Sequence, residues 1–207
     1  MDENAISEDP EFLMKKEESS KKLTKIKNLI CIKTLSGHQG PICCIIQIKW
    51  PKDQNTFVTA SGDKSIKVWN AEDGLCLKTL TGHTHWVYYL TQLKWAKDNS
   101  TIVSGSRDMS LKIWNIEAGV CLKSINAHNN LISGLVQMKG QENPILATCS
   151  WDRTLKIWNM EDGSLLKTLK GHKDSIRCVA QMKWKRDSNT LLSGASDKTI
   201  KIWDITT

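Results

Sequence analysis

The chain has 207 residues, enough for one substantial core or two small domains. Its 40% hydrophobic and 25% charged residues are typical of a soluble globular protein, and no run of uninterrupted apolar residues is long enough to predict a membrane span. The net charge of +7 leaves nucleic acid open as a partner, although a lysine-rich surface usually serves solubility, which is the interpretation we prefer.

Residues 1–27 are charged, with the mixed run KKEESSKK, and we predict a flexible N-terminal arm there. The arm carries no basic-then-apolar signal pattern, so we expect a cytoplasmic or nuclear protein. Seven cysteines in a reducing compartment argue against a disulfide framework. Adjacent Cys43 and Cys44 have no C-x-x-C partner, so we expect no zinc site and no other metal or cofactor.

From residue 28 onwards, an internal repeat of 44 or 45 residues organises the chain. The repeats cover about residues 31–75, 76–120, 121–164 and 165–207. Each has a His preceded by Gly, or by Ala127 in the third repeat, then an Asp six residues before a Trp, and closes with Trp-Asn or Trp-Asp. One residue is missing between Gly140 and Asp152, and every later marker shifts with it. The pattern therefore reflects repeated structural units.

Each repeat predicts four short strands in a fixed order. In the second repeat they are VYYLTQLKW, TIVSGS, SLKIW and VCLKSI, separated by polar or Gly-containing turns. No stretch of residues 31–207 has a convincing helical periodicity. A four-stranded unit cannot bury both of its faces alone, so neighbouring units must pack on one another.

These markers resemble WD40 repeats, which form β-propellers, over residues 31–207, and we expect the repeat domain to span residues 28–207. The resemblance implies an all-β propeller of four blades, each with four antiparallel strands. The fourth repeat ends after its third strand, and NLICIKTL near the N-terminus matches a fourth strand, so we expect the N-terminal strand to complete the last blade. Four blades are few for a propeller. The chain could close a four-bladed ring, share an eight-bladed ring as a homodimer, or belong to a larger protein.

The resemblance also implies a hydrogen-bonded relay in each blade, from a Trp indole through a Ser or Thr hydroxyl and a His imidazole to an Asp carboxylate. The relay positions are occupied by His38, Thr59, Asp63 and Trp69; His83, Ser104, Asp108 and Trp114; His128, Thr148, Asp152 and Trp158; and His172, Ser193, Asp197 and Trp203. A hydrolase triad is the alternative. The set recurs four times, Thr replaces Ser, and no Gly-x-Ser-x-Gly elbow is present, so we predict a structural network and no enzyme.

Trp86 and Trp151 lie outside the repeated tryptophan positions. In WD40 proteins, partners often bind top-rim positions three and five residues after the repeat histidine and just before the turn Asp. Both tryptophans fall on such positions, among residue types that are enriched at binding hot spots. We predict a partner-binding patch of Trp86, Tyr88, Arg107, Leu131, Trp151 and Arg177. The alternative is that these aromatic residues fill the channel mouth or pack on residues 1–30.

The sequence therefore predicts a non-catalytic scaffold or adaptor that binds protein or peptide partners on the top rim of a propeller. One alternative is a substrate-recognition subunit of the ubiquitin-ligase type, in which Arg107, Arg153 and Arg177 bind acidic or phosphorylated segments. A second alternative is RNA or DNA binding through the basic surface, which would weaken steeply with salt.

Overall fold

A computed structural model describes residues 30–49, 55–94, 99–139, 144–184 and 187–206. The predicted arm, residues 1–27, lies outside the described residues. The chain divides into two units, Met1–Leu35 and Ser36–Thr207. In the first unit, the described residues 30–35 form neither a helix nor a strand, and all of the described strands belong to the second unit.

The second unit is a succession of antiparallel sheets, which confirms the predicted all-β class. The strand orders are β1-β2-β3-β4, β5-β6-β7-β8, β9-β10-β11-β12 and β13-β14-β15. The strands are β1 (Ile42–Gln47), β2 (Thr56–Ser61), β3 (Ile66–Asn70), β4 (Cys76–Leu80), β5 (Val87–Gln92), β6 (Thr101–Ser106), β7 (Ser110–Asn115), β8 (Val120–Asn126), β9 (Ile132–Gln137), β10 (Ile145–Ser150), β11 (Thr154–Asn159), β12 (Leu165–Lys170), β13 (Ile176–Trp184), β14 (Asp187–Ala195) and β15 (Ile200–Asp204). No helix of the described ranges has the length and apolar character that crossing a membrane requires.

The turn between the second and third strands is alike in all four sheets. In the first sheet, the Asp63 carboxylate accepts the Ser65 backbone N–H at 2.9 Å. The residue after the Asp has a positive φ of 64–72° although it is not glycine; these residues are Lys64, Met109, Arg153 and Lys198. Left-handed backbone costs a side-chain-bearing residue about 1–2 kcal/mol, and the Asp hydrogen bonds offset that cost.

Apolar cores lie between consecutive sheets. Val58, Ile66 and Val68 of the first sheet share a core with Val87 and Leu90 of the second. Similar cores join the second sheet to the third and the third to the fourth. The first strands follow the same order, because β5 packs against β1, β9 against β5 and β13 against β9. The sheets therefore pack as successive propeller blades.

The last sheet differs from the others because it has three strands among the described residues. Within residues 28–35, the segment expected to supply its fourth strand, the described residues 30–35 form no strand. Within the described ranges, no packing comparable to that between consecutive sheets joins β13 to β1. Completion of the last blade by the N-terminal strand is not detected among the described residues. Ring closure stays a prediction.

Candidate functional site

Each sheet contains one buried relay, and the structure brings together the four side chains that the sequence places there. In the second sheet, Nδ1 of His83 lies 2.7 Å from Oδ2 of Asp108, and its Nε2 lies 2.7 Å from Oγ of Ser104. The Trp114 indole N–H donates to the same hydroxyl at 2.8 Å. The corresponding distances in the other three sheets are 2.7–2.9 Å.

A second hydroxyl group joins each relay, which sequence analysis missed. Oγ of Ser110 donates to Oδ1 of Asp108 at 2.6 Å and lies 3.3 Å from Nδ1 of His83. The same place in the other sheets is taken by Ser65, Thr154 and Thr199. The sequence carries a signal for this group, since a Ser or Thr stands two residues after the relay Asp in all four repeats.

The relay carboxylates are strongly favoured in their ionised form. Burial raises the pKa of Asp108, but hydrogen bonds from His83, Ser110 and the Thr84 backbone N–H outweigh that effect and hold the pKa well below its ordinary value. The carboxyl pKa is also lowered in Asp63, Asp152 and Asp197. At neutral pH these four groups act as hydrogen-bond acceptors.

The direction of each hydrogen bond in the relay follows from which groups can donate a proton and which can only accept one. Ionised Asp108 only accepts, so Nδ1 of His83 carries the proton that points to it, and Nε2 accepts from Ser104. The Ser104 oxygen in turn accepts the indole N–H of Trp114. This hydroxyl is fully buried and engaged as both donor and acceptor, so it cannot attack a substrate. The relay is suited to fixing strands and stiffening the sheet.

The rim residues of the second sheet form a first rim cluster, Trp86, Tyr88 and Arg107. Trp86 is half-buried against Gly62 of the preceding sheet, where an added Cβ would lie 3.1 Å from Cδ2 of the indole. The rings of Trp86 and Tyr88 lie with centroids 6.0 Å apart. Arg107 is exposed, and its backbone N–H donates to the Trp86 carbonyl at 2.9 Å.

A second rim cluster, Trp151 and Arg177, bridges the third and fourth sheets. The guanidinium carbon of Arg177 lies 4.3 Å from the centroid of the Trp151 ring, and its Nε donates to Oγ of Ser196 at 2.8 Å. Trp151 is 36% exposed. Leu131 is buried, and its carbonyl accepts the Trp151 backbone N–H at 3.2 Å, so it adds little contact surface. Five of the six predicted rim residues therefore form two clusters with separate internal contacts, and Leu131 belongs to neither cluster.

Glutamine clamps join consecutive sheets, and sequence analysis missed them. Gln92 of β5 accepts the backbone N–H of Lys49 at 3.0 Å and donates to the Lys49 carbonyl at 3.1 Å. The same pair of bonds joins the later sheets, from Gln137 to Lys94 and from Gln181 to Lys139. The sequence does carry a signal for these clamps, because a Gln stands nine residues after the repeat His in every repeat. These clamps fix the spacing of neighbouring sheets through backbone groups.

A polar cavity of about 560 Å³ lies between the third and fourth relays. Its lining includes the basic side chains of Arg153, Lys156 and Lys170, together with the relay residues Asp152 and His172. The Lys156 ammonium donates to the Ala127 carbonyl at 2.6 Å. The cavity thus offers cationic groups to an acidic ligand, although Arg107 and Arg177 do not line it.

The cysteines differ in burial: Cys149 is buried, Cys43 and Cys44 are partly buried, and the other four are exposed. Cys149 is buried, and this burial raises the pKa of its thiol to about 12, which keeps it protonated and unreactive at neutral pH. Burial also raises the pKa of Cys43 and Cys44. Within the ranges that the structure describes, no group of three or more His, Cys, Asp or Glu residues is placed to hold a metal ion.

Comparison with known proteins finds the same repeat and the same fold. The family model described as WD domain, G-beta repeat (WD40) matches residues 29–70, 74–115, 119–159 and 163–204. The crystal structure of the computationally designed Ika4 protein is 31% identical, with a TM-score of 0.67, over 84% of this chain and 96% of that one. The WD40 β-propeller domain of Doa1 is 27% identical, with a TM-score of 0.69, over 83% of this chain and 53% of that one, so this chain spans about half of it. No curated protein matches the chain.

Proposed function

Because the chain belongs to the WD40 family of WD domain, G-beta repeat proteins, we propose that it is a scaffold or adaptor that binds a protein or peptide on the rim of its propeller. WD40 propellers are generally a non-catalytic fold that binds protein partners. One observation carries the proposal for this chain: the exposed Trp151 ring has the Arg177 guanidinium lying over it.

Trp, Tyr and Arg supply much of the binding energy at protein interfaces because they combine a large apolar area with polar groups. Both rim clusters consist of these residue types. The relays also fix their backbone, since Arg107 and Trp151 each directly precede a relay carboxylate, Asp108 and Asp152. A rigid surface loses little conformational entropy on binding, which favours affinity.

The test begins with a phage-displayed library of random peptides, selected on the immobilised chain. The affinity of an enriched synthetic peptide is then measured by isothermal titration calorimetry for the wild type and for Trp86→Ala, Arg107→Ala and Trp151→Ala. The control is Leu122→Ala, which removes an exposed apolar side chain on β8, outside both rim clusters.

We expect at least one rim substitution to weaken binding by about 30-fold, equivalent to roughly 2 kcal/mol at a hot spot. The control should bind as the wild type does. Unchanged affinity in all three rim variants would contradict the proposed binding surface.

Recognition of acidic or phosphorylated segments, as in a substrate-recognition subunit of the ubiquitin-ligase type, is a second candidate function. The basic lining of the cavity beside Arg153 favours it. Here the enriched peptides would be acidic, a phosphoserine version would bind more tightly than the unmodified peptide, and Arg153→Gln would remove that difference. Binding of a fluorescent single-stranded oligonucleotide with a steep salt dependence would instead favour the nucleic-acid alternative.

A further inference from the structure

The face of the first sheet that points away from the second sheet exposes apolar side chains whose counterparts in the later sheets are buried or partly buried. Ile42 is 50% exposed, whereas the residue at its position is fully buried in the other three sheets, as Val87, Ile132 and Ile176. Ile45 is 62% exposed, whereas its equivalent Leu90 is buried. In later sheets this face packs on the preceding sheet, but among the described residues no sheet precedes the first one.

The face of the last sheet that points away from the third sheet also exposes apolar side chains. Ile200 is 77% exposed and Ile202 is 64% exposed. The residues at the Ile200 position in the first three sheets are fully buried, and those at the Ile202 position are at most 5% exposed; they are Ile66, Leu111 and Leu155, and Val68, Ile113 and Ile157. In those sheets this face packs on the following sheet. The last sheet has no successor among the described residues.

Gly194, on the exposed face of the last sheet, leaves space for the side chains of an adjacent sheet. Gly105 holds the same position in the second sheet, where an added Cβ would meet Cγ2 of Ile132 at 2.9 Å and Cδ2 of Leu135 at 3.2 Å, both from the third sheet. Among the described residues, an added Cβ at Gly194 would meet only Sγ of Cys178, from its own sheet. Ile42 and Ile45 correspond to Ile132 and Leu135, so the first sheet presents the side chains that fill this space at an internal junction.

We propose that the two end faces pack against the matching end faces of a second copy, giving a closed ring of eight blades made by two chains. Each junction between copies would repeat the contact that joins consecutive sheets three times within one chain, with Ile42 and Ile45 of one copy against Gly194, Ile200 and Ile202 of the other. A two-fold axis makes this contact twice and leaves no apolar end face exposed. Eight blades lie within the range of known propellers.

The test is the molar mass of the 207-residue chain in solution, by size-exclusion chromatography with light scattering. We expect twice the chain mass of 23.4 kDa, and negative-stain images that show rings with eight lobes. A monomer would overturn the proposal, whether its ring closes on itself, stays open or is completed by another protein. A mass above that of a dimer would overturn it as well.

Variants of the two faces test the mode of assembly. Ile45→Lys and Ile202→Asp each place a charge in both junctions of a symmetric dimer, so each should halve the mass while circular dichroism shows retained strands. Mixing the two variants should restore the dimer. A mixed pair has one wild-type junction and one junction in which the two introduced charges, which are of opposite sign, face each other.

The matched control is Leu122→Asp, at a residue 57% exposed on β8, which should leave the dimer intact. A dimer that survives both single substitutions would show that the copies meet elsewhere and would overturn the proposed junction. If one of the single variants does not fold, the molar mass and the negative-stain images of the wild type still test whether two chains form the ring. Rim-peptide binding is a separate readout, so failure of the ring and failure of the proposed function are distinguishable.

Discussion

Arg177 holds its guanidinium carbon 4.3 Å from the centroid of the Trp151 ring, and thereby connects the fourth sheet to the third. A cation over an indole contributes about 0.5–1 kcal/mol at an exposed site. We expect Arg177→Ala to lower the free energy of unfolding by about that amount in urea denaturation. Lys173→Ala, which removes an exposed cation four residues earlier in the sequence, should leave the stability unchanged. Equal losses in the two variants would show that general charge effects dominate.

The hydrogen bonds of the relay predict how substitutions of Ser104 change the stability of the fold. Ser104→Ala leaves the Trp114 indole N–H and Nε2 of His83 without their common partner inside a buried site. An unsatisfied buried polar group costs about 1–3 kcal/mol, so the urea midpoint should fall accordingly. Ser104→Thr should be far milder, because Thr59 fills the same place in the first sheet at nearly the same distances. Equal destabilisation by Ala and Thr would argue that packing, rather than hydrogen bonding, is important here.

Acid should weaken the fold through the relay carboxylates. The pKa of Asp108 in the folded chain lies below the value of about 3.9 in an unfolded chain, so the unfolded state binds the proton first as the pH falls. The stabilisation is fully present above about pH 4 and is lost as the pH drops towards the folded-state pKa. Asp108→Asn should be less stable at pH 6 but lose less stability between pH 5 and pH 3, as urea midpoints would show. Parallel pH profiles of the two proteins would refute this assignment.

The glutamine clamps should differ in strength with burial. Gln92 is buried and donates to the Asn99 carbonyl at 2.7 Å in addition to its two bonds with Lys49. Gln137 is more accessible, so water can replace its bonds. We expect Gln92→Leu to cost about 1–3 kcal/mol in urea unfolding and Gln137→Leu to cost less. The reverse order would mean that the clamp does not act through its hydrogen bonds.

The repeat markers were sufficient to predict the strands and the relay partners. Asp108 and Trp114 are six residues apart, and a single turn and strand connect them. Once the fold is an antiparallel sheet, this local geometry determines the relative positions of the two side chains. The sequence repeat is offset from the sheet by one strand. The strand Cys76–Leu80 begins the second sequence repeat but completes the first sheet.

Features that depend on a neighbouring sheet were harder to predict. Leu131 occupies a rim position by its spacing, but tertiary packing buries it. Gln92 resembles any polar residue at a strand end, and its partner lies 43 residues earlier. Closure by the N-terminal strand stays a prediction, because matching sequence ends indicate compatible edges but do not establish where those edges lie in space.

Every relay ends on an indole whose N–H is hydrogen-bonded inside its sheet, at Trp69, Trp114, Trp158 and Trp203. Indole fluorescence shifts to longer wavelengths when water reaches the ring, so each sheet contains its own optical reporter. With the other tryptophans replaced by Phe, a protein that keeps a single relay Trp would display the melting of one sheet alone. Four such proteins would reveal whether the sheets unfold together or in succession.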